Sequence, residues 1–178
     1  MDDARPAACA CCGLPRYLPN GRLGLHGHGT RTRQTRGPLA LDGASVVQVV
    51  TVRRYICTRC RTTVTVSPVV VVPRRLYLPS AMAVAFVLFG VTRLSQSETR
   101  ARLCPWRTWG DGSAARWDAL RDWVTAVRER RLFHGVRPPP DDWAPWRVAE
   151  RAATTLAALG PPGAALEAAA FLGAALAA

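Results

Sequence analysis

Two patterns of hydrophobic residues divide this chain, and the change falls near Pro79. Before it the apolar residues are β-branched and come in extended runs. SVVQVVTVRRYIC, Ser45 to Cys57, predicts a strand, and TTVTVSPVVVV predicts another that Pro68 and Pro73 break by removing ladder donors. Upstream, PNGRLGLHGHGTRTRQTRGP is rich in Gly and alternates Thr with Arg, the pattern of an exposed hairpin arm. On it Arg31 and Arg33 point to one face, and His26 and His28, set between glycines, are expected at a turn.

From Pro79 the pattern is helical. LPSAMAVAFVLFG is apolar on nearly every side and predicts a buried helix ending at Gly90. Ser95 and Glu98 of SQSETRARL have capping-box spacing and open a short basic helix that Pro105 stops. Helix, short turn and capped helix is helix-turn-helix spacing, with Gln96, Ser97 and Arg100 expected exposed on the second helix. A third helix, Ser113 to Leu132, places Trp117, Leu120, Val124 and Val127 on one stripe and Asp118, Asp122 and Glu129 opposite. Its acids make it a packing helix rather than one that meets phosphates. RPPPDDWAPW is a rigid connector to a helix from about Asp142 to Leu159. The segment Gly163 to Ala178 has high helix propensity and little to pack with, giving a frayed helix or an association face. The six tryptophans, all between 106 and 146, are expected in the core joining the helices.

The cysteines change the picture of the first half. Cys9 with Cys12, and Cys57 with Cys60, have ligand spacing, and Gly13 after the first pair tolerates the left-handed backbone of a metal knuckle. Four thiolates close a tetrahedral Zn²⁺ site with no open position, a structural centre rather than a catalytic one. The 44 residues between the pairs exceed the compact spacing. Scaled with length, that gap costs about 0.8 kcal/mol more, against about 10–16 kcal/mol from structural zinc. Cys11, His26 and His28 are alternative ligands, and Cys104 is expected as a small buried residue. The fold class is α+β: a small zinc-ribbon-like β domain over 1–78, a helix-turn-helix-like helical domain over 79–135, and a Pro-rich connector with Ala-rich C-terminal helices over 136–178.

Charge then points to a partner. The formal net charge is +12, from 24 arginines and no lysine against 12 acids. Residues 1–107 hold 16 Arg and 4 acids, whereas 108–178 hold 8 of each, so the excess lies with the cysteine pairs. A field of that kind attracts polyanions, duplex DNA first. The candidate contacts are Arg31, Arg33 and Arg36 on the arm; Arg53, Arg54, Arg59 and Arg61 around the second pair; Arg74 and Arg75; and Gln96 and Arg100 on the basic helix. RNA would use the same charges. A protein-interaction adaptor, docking through the ribbon and C-terminal helices, is the alternative function.

No phosphate-binding Gly motif, nucleophile with a neighbouring His, or paired carboxylates argue for an enzyme, so none is expected. The start MDDARPAACACC has no apolar signal region, and the run Leu76 to Val91 is too short to span a bilayer. A soluble, cytoplasmic protein with reduced thiols and no membrane partner is the expectation.

CACCG, HGHGTRTR, RRYICTRCRTTVTVSP, RRLY and LSQSETRARL, in that order, resemble the N-terminal region of insertion-sequence transposases over roughly Cys9 to Arg131. The resemblance implies a zinc ribbon before a helix-turn-helix that binds the element's ends. It also implies Cys9, Cys12, Cys57 and Cys60 as zinc ligands, with the second-pair arginines beside DNA. Such transposases continue into a nuclease domain with an acidic triad. Here only Asp141, Asp142, Glu150 and Glu167 lie near the end, so the expectation is a DNA-binding remnant, a self-associating accessory, or a partner of a separate catalytic subunit.

Overall fold

The computed structural model describes residues 4–68, 71–72, 75–104, 106 and 117–177. The protein is α+β, with a three-stranded antiparallel sheet and five helices among these residues. Strands β1 (Leu25–Pro38), β2 (Ser45–Cys57) and β3 (Thr63–Val66) lie in that order across the sheet. Arg53 to Ile56 of β2 pair antiparallel with Val66 to Thr63 of β3. The chain divides into two compact units, one of residues 1–34 with 48–68 and one of residues 35–47 with 69–178.

The first unit has a small core of Cys9, Leu14, Leu25, Tyr55 and Cys57, with Leu18, Val64 and Val66 partly buried against it. Tyr55 lies opposite Val64 in the β2/β3 pairing, so the face of this hairpin that carries Cys57 is the buried one.

The second unit is built on α1 (Pro79–Phe86), α2 (Gln96–Leu103), α3 (Asp118–Arg128), α4 (Pro145–Ala158) and α5 (Leu166–Gly173). α1 is buried at Pro79 and from Ala81 to Phe86, as its all-round apolar character predicts. It runs into a π-helical turn, Val87–Val91, in which Thr92 N–H donates to the Val87 carbonyl. Gly90 lies in that turn, where a Cβ would stand 2.3 Å from the Glu150 nitrogen, so the missing side chain lets the turn sit against the α4 backbone. The end of β1 belongs to this unit: Arg36 exchanges backbone hydrogen bonds with Leu76 and Leu78. Tyr77, Trp117 and Trp123 pack edge to face at centroid distances of 5.0–5.8 Å, and Tyr77 donates to the buried Cys104 sulfur at 3.1 Å. Burial, followed by the neighbouring Cys104, pushes the Tyr77 hydroxyl up to about 12.

Several sequence expectations shift here. His26 and His28 lie within β1, both exposed, rather than at a turn. The strand after the second cysteine pair is short, ending at Val66. α3 is described from Asp118, with 113–116 outside the described residues, and Trp117, Leu120, Trp123, Val124 and Val127 are all buried. The Ala-rich end is not short of packing: Ala169, Ala170, Phe171, Gly173 and Ala174 are buried. A Cβ on Gly173 would fall 1.9 Å from the Leu156 carbonyl oxygen, so α5 rests directly on α4 through small residues. Of the tryptophans, 117 and 123 are core, 106 and 143 are partly buried, and Trp109 is outside the described residues. Trp146 is half-buried beneath the Arg93 guanidinium.

Candidate metal centre

Two turns of matching construction bring four cysteines together. In the first, Gly13 N–H donates to the Cys9 carbonyl and Cys9 N–H to the Leu14 carbonyl, at 2.9 and 2.8 Å. In the second, Arg61 N–H donates to the Cys57 carbonyl and Cys57 N–H to the Thr62 carbonyl, both at 3.0 Å. The residue after the last cysteine is left-handed in each, Gly13 at φ +68° and Arg61 at φ +61°. The same turn is thus made once with the residue suited to it and once with arginine.

Gly24 ties the two turns together. Its N–H donates to the Arg16 carbonyl, and its carbonyl accepts from both the N–H and the hydroxyl of Thr58. A Cβ at Gly24 would lie 2.1 Å from the Pro15 carbonyl oxygen, so the close approach depends on glycine.

The Sγ atoms of Cys9, Cys12, Cys57 and Cys60 all lie within 4.8 Å of one another. The Cys9–Cys60 and Cys12–Cys57 pairs are at 3.7 and 3.6 Å. None of the four is in a disulfide. A tetrahedron with metal–sulfur bonds of about 2.3 Å has edges of about 3.8 Å, so the cluster has the dimensions of a four-thiolate site and can hold a metal ion. Cys9 and Cys57 are buried, while Cys12 and Cys60 are half-buried.

The turns also set the proton affinities. The hydroxyl and N–H of Thr62 stabilise the Cys60 thiolate and bring it down to about 6. The N–H groups of Cys60 and Arg59 lower Cys57 despite its burial. For Cys12 the Leu14 N–H pulls downward, but burial and the neighbouring Cys57, Cys60 and Cys9 outweigh it and raise the thiol to about 11. Near neutral pH Cys60 is therefore ready as a thiolate, and a metal ion held by the four sulfurs would displace the Cys12 proton. Leu14 and Thr62 each stand two residues after a ligand position. Their spacing from the cysteines was the sequence signal for this support, and only Gly13 stood out from it.

Cys11 is exposed, Cys104 is in the second unit beside Tyr77, and His26 and His28 are not in the cluster. Among the nucleic-acid candidates, Arg31 is exposed and Arg33 half-buried on β1. Arg53 and Arg54 are consecutive on β2 and so project from opposite faces; Arg59 and Arg61 are exposed in the second turn. Arg36 falls in the second unit, where its guanidinium lies 5.4 Å from the Trp106 ring centroid. Arg75 and, on α2, Gln96 and Arg100 are half-buried, and Arg74 lies outside the described residues. The Ser95–Glu98 capping box is formed in both directions, and those hydrogen bonds hold the Glu98 carboxyl below its usual range. Among the described residues no helix is long and apolar enough to cross a membrane.

No family model, curated protein or solved structure matches the chain.

Proposed function

We propose that this chain is a non-catalytic, duplex-DNA-binding protein whose first unit is a zinc ribbon. The observation that carries the reading is the charge of the unit around the four cysteines: residues 1–34 and 48–68 hold nine arginines and two acids, Asp2 and Asp3, a net of +7. Beyond Asp3 that unit has no carboxylate of its own to neutralise Arg31, Arg53, Arg54, Arg59 or Arg61. Zinc suits an all-thiolate tetrahedron, and a closed site supplies stability rather than chemistry. Arginines held on the strands and turn it fixes then neutralise phosphates. The resemblance to transposase N-termini favours an origin in, or service to, a mobile element, with a separate catalytic subunit as partner. In that reading α1, the turn Thr92–Ser95 and α2 form the helix-turn-helix. A site of four thiolates suits a reducing compartment, which supports the cytoplasm as its setting.

The experiment is a salt titration of duplex binding by zinc-loaded protein. The triple variant Arg53→Ala, Arg54→Ala, Arg59→Ala is expected to bind more weakly, with the slope of log affinity against log salt reduced by about 0.9 for each phosphate no longer neutralised. Unchanged affinity and slope in a folded triple variant would remove the reading.

A second reading has an observation of its own: Leu159, Leu172 and Leu176 at the ends of α4 and α5 are exposed. They suit an adaptor that docks through its C-terminal helices. Such docking would be nearly insensitive to salt.

A further inference from the structure

The first unit contains a stretch of strand that covers nothing. From His26 to Thr32, seven consecutive residues of β1 are exposed. Side chains of a strand alternate between faces, so a strand lying on a core shows alternate burial; an unbroken exposed run leaves both faces in water. Its neighbour β2 has Val49, Thr51 and Arg53 exposed on one face, with Val50 half-buried and Val52 buried on the other. The result is a two-stranded ribbon in which β1 is wet throughout from His26 to Thr32 and β2 is wet on one face.

We propose that this ribbon enters the major groove of duplex DNA, with Arg31 and Arg33 reading guanine edges. The inference rests on the DNA-binding reading above and adds to it the groove and the reading element. Size is the first argument. A two-stranded ribbon fits the major groove of B-DNA, about 12 Å wide, as it stands, whereas the minor groove, about 6 Å wide, would have to be opened by deforming the duplex. The major groove of A-form RNA is deep and narrow and does not admit it, which makes DNA rather than RNA the partner.

Chemistry is the second. Arg31 and Arg33 are two apart and share a face of β1, and an arginine fork matches O6 and N7 of guanine. The Arg54 guanidinium from β2 lies 3.9 Å from the position a Cβ on Gly29 would take, adding charge two residues from Arg31. Gly27 and Gly29 keep the strand thin, and a Cβ at Gly27 would meet open space. Thr30 and Thr32 add short hydroxyls, and no carboxylate stands anywhere in the arm.

The rival reader, α2, is less suited. Its Glu98 holds a carboxylate in the first turn, the end by which recognition helices meet bases.

Dimethyl sulfate protection of guanine N7, an atom of the major groove, tests this with the full zinc-loaded chain on a mixed-sequence duplex. Protection is expected in the wild type. It should be lost in the Arg31→Ala, Arg33→Ala variant together with about tenfold or more of affinity. In Arg31→Lys, Arg33→Lys, which keeps the charge and a single donor but not the fork, protection should be weakened rather than abolished and affinity should fall less than in the alanine variant. If the alanine variant fails to retain zinc, the lysine variant decides. Binding without N7 protection, protection undiminished in both variants, or equal binding to double-stranded RNA of the same sequence overturns the groove assignment and leaves phosphate binding standing. No binding to duplex DNA at all withdraws both readings.

Discussion

Arg61 occupies a backbone position that Gly13 occupies in the matching turn, and the two test what the turn demands. A left-handed conformation costs a residue with a Cβ about 1–2 kcal/mol and glycine nothing. Arg61→Gly is therefore expected to stabilise the metal-loaded first unit by about 1 kcal/mol, and Gly13→Ala to destabilise it by about the same amount. A chelator-competition midpoint measured for the two variants reads both signs. If Arg61→Gly lowers the midpoint, the Arg61 side chain makes an interaction that outweighs its backbone cost. At this scale the sequence was most legible where spacing alone carries the chemistry. The two Cys-x-x-Cys pairs marked the four cysteines that cluster, because a turn of that length converges two sulfurs whatever lies between the pairs. Arg61 was not legible as a left-handed residue, since nothing in an arginine marks one.

Among the elements, the strongest packing demand is made where side chains are missing. Gly173 of α5 is against the Leu156 carbonyl of α4, and a methyl group there has nowhere to go. Gly173→Ala should therefore cost about 2 kcal/mol in urea unfolding followed by tryptophan fluorescence. Gly135→Ala, where a Cβ meets nothing within 4 Å, should stay within about 0.5 kcal/mol. Equal effects would mean that the close approach at Gly173 carries no cost of its own. The same feature explains why composition misleads about the C-terminal helix. Ala and Gly look like a lack of packing groups, yet they are what allows two backbones to meet. Strand β2 was legible from Ser45 to Cys57 because an uninterrupted β-branched run has one good conformation. α2 was legible through Ser95 and Glu98, whose reciprocal hydrogen bonds are local. The π-helical turn at Val87–Val91 was not, because it answers to Gly90 lying on α4, sixty residues further on in the sequence.

For the whole molecule, the two units differ in what holds them. The first buries Leu14, Leu25, Val52 and Tyr55 with two of its cysteines, too little apolar surface to fold unaided. The second has its own core across α1, α3, α4 and α5. Removing the metal is therefore expected to unfold the first unit and spare the second. All six tryptophans lie between residues 106 and 146, so their fluorescence follows the helical unit alone. A strong chelator should leave that signal unchanged while amide protection in Arg53–Ile56 disappears. Loss of both signals in one step would show that the units fold together.

Connectivity gives the metal centre a last property. The chain leaves the first unit after Gln34, spends Thr35–Val47 in the second, and returns at Gln48 before Cys57 and Cys60 are reached. During synthesis the first cysteine pair is therefore made long before its partners, and an ion caught by Cys9 and Cys12 would have only half its ligands until Cys60 had emerged. No single cut in the polypeptide releases the first unit intact: a fragment ending at Pro68 carries Thr35–Val47 without the rest of the second unit. A protease nick in that excursion would leave the two halves of the first unit joined through metal–sulfur bonds and strand pairing rather than peptide bonds.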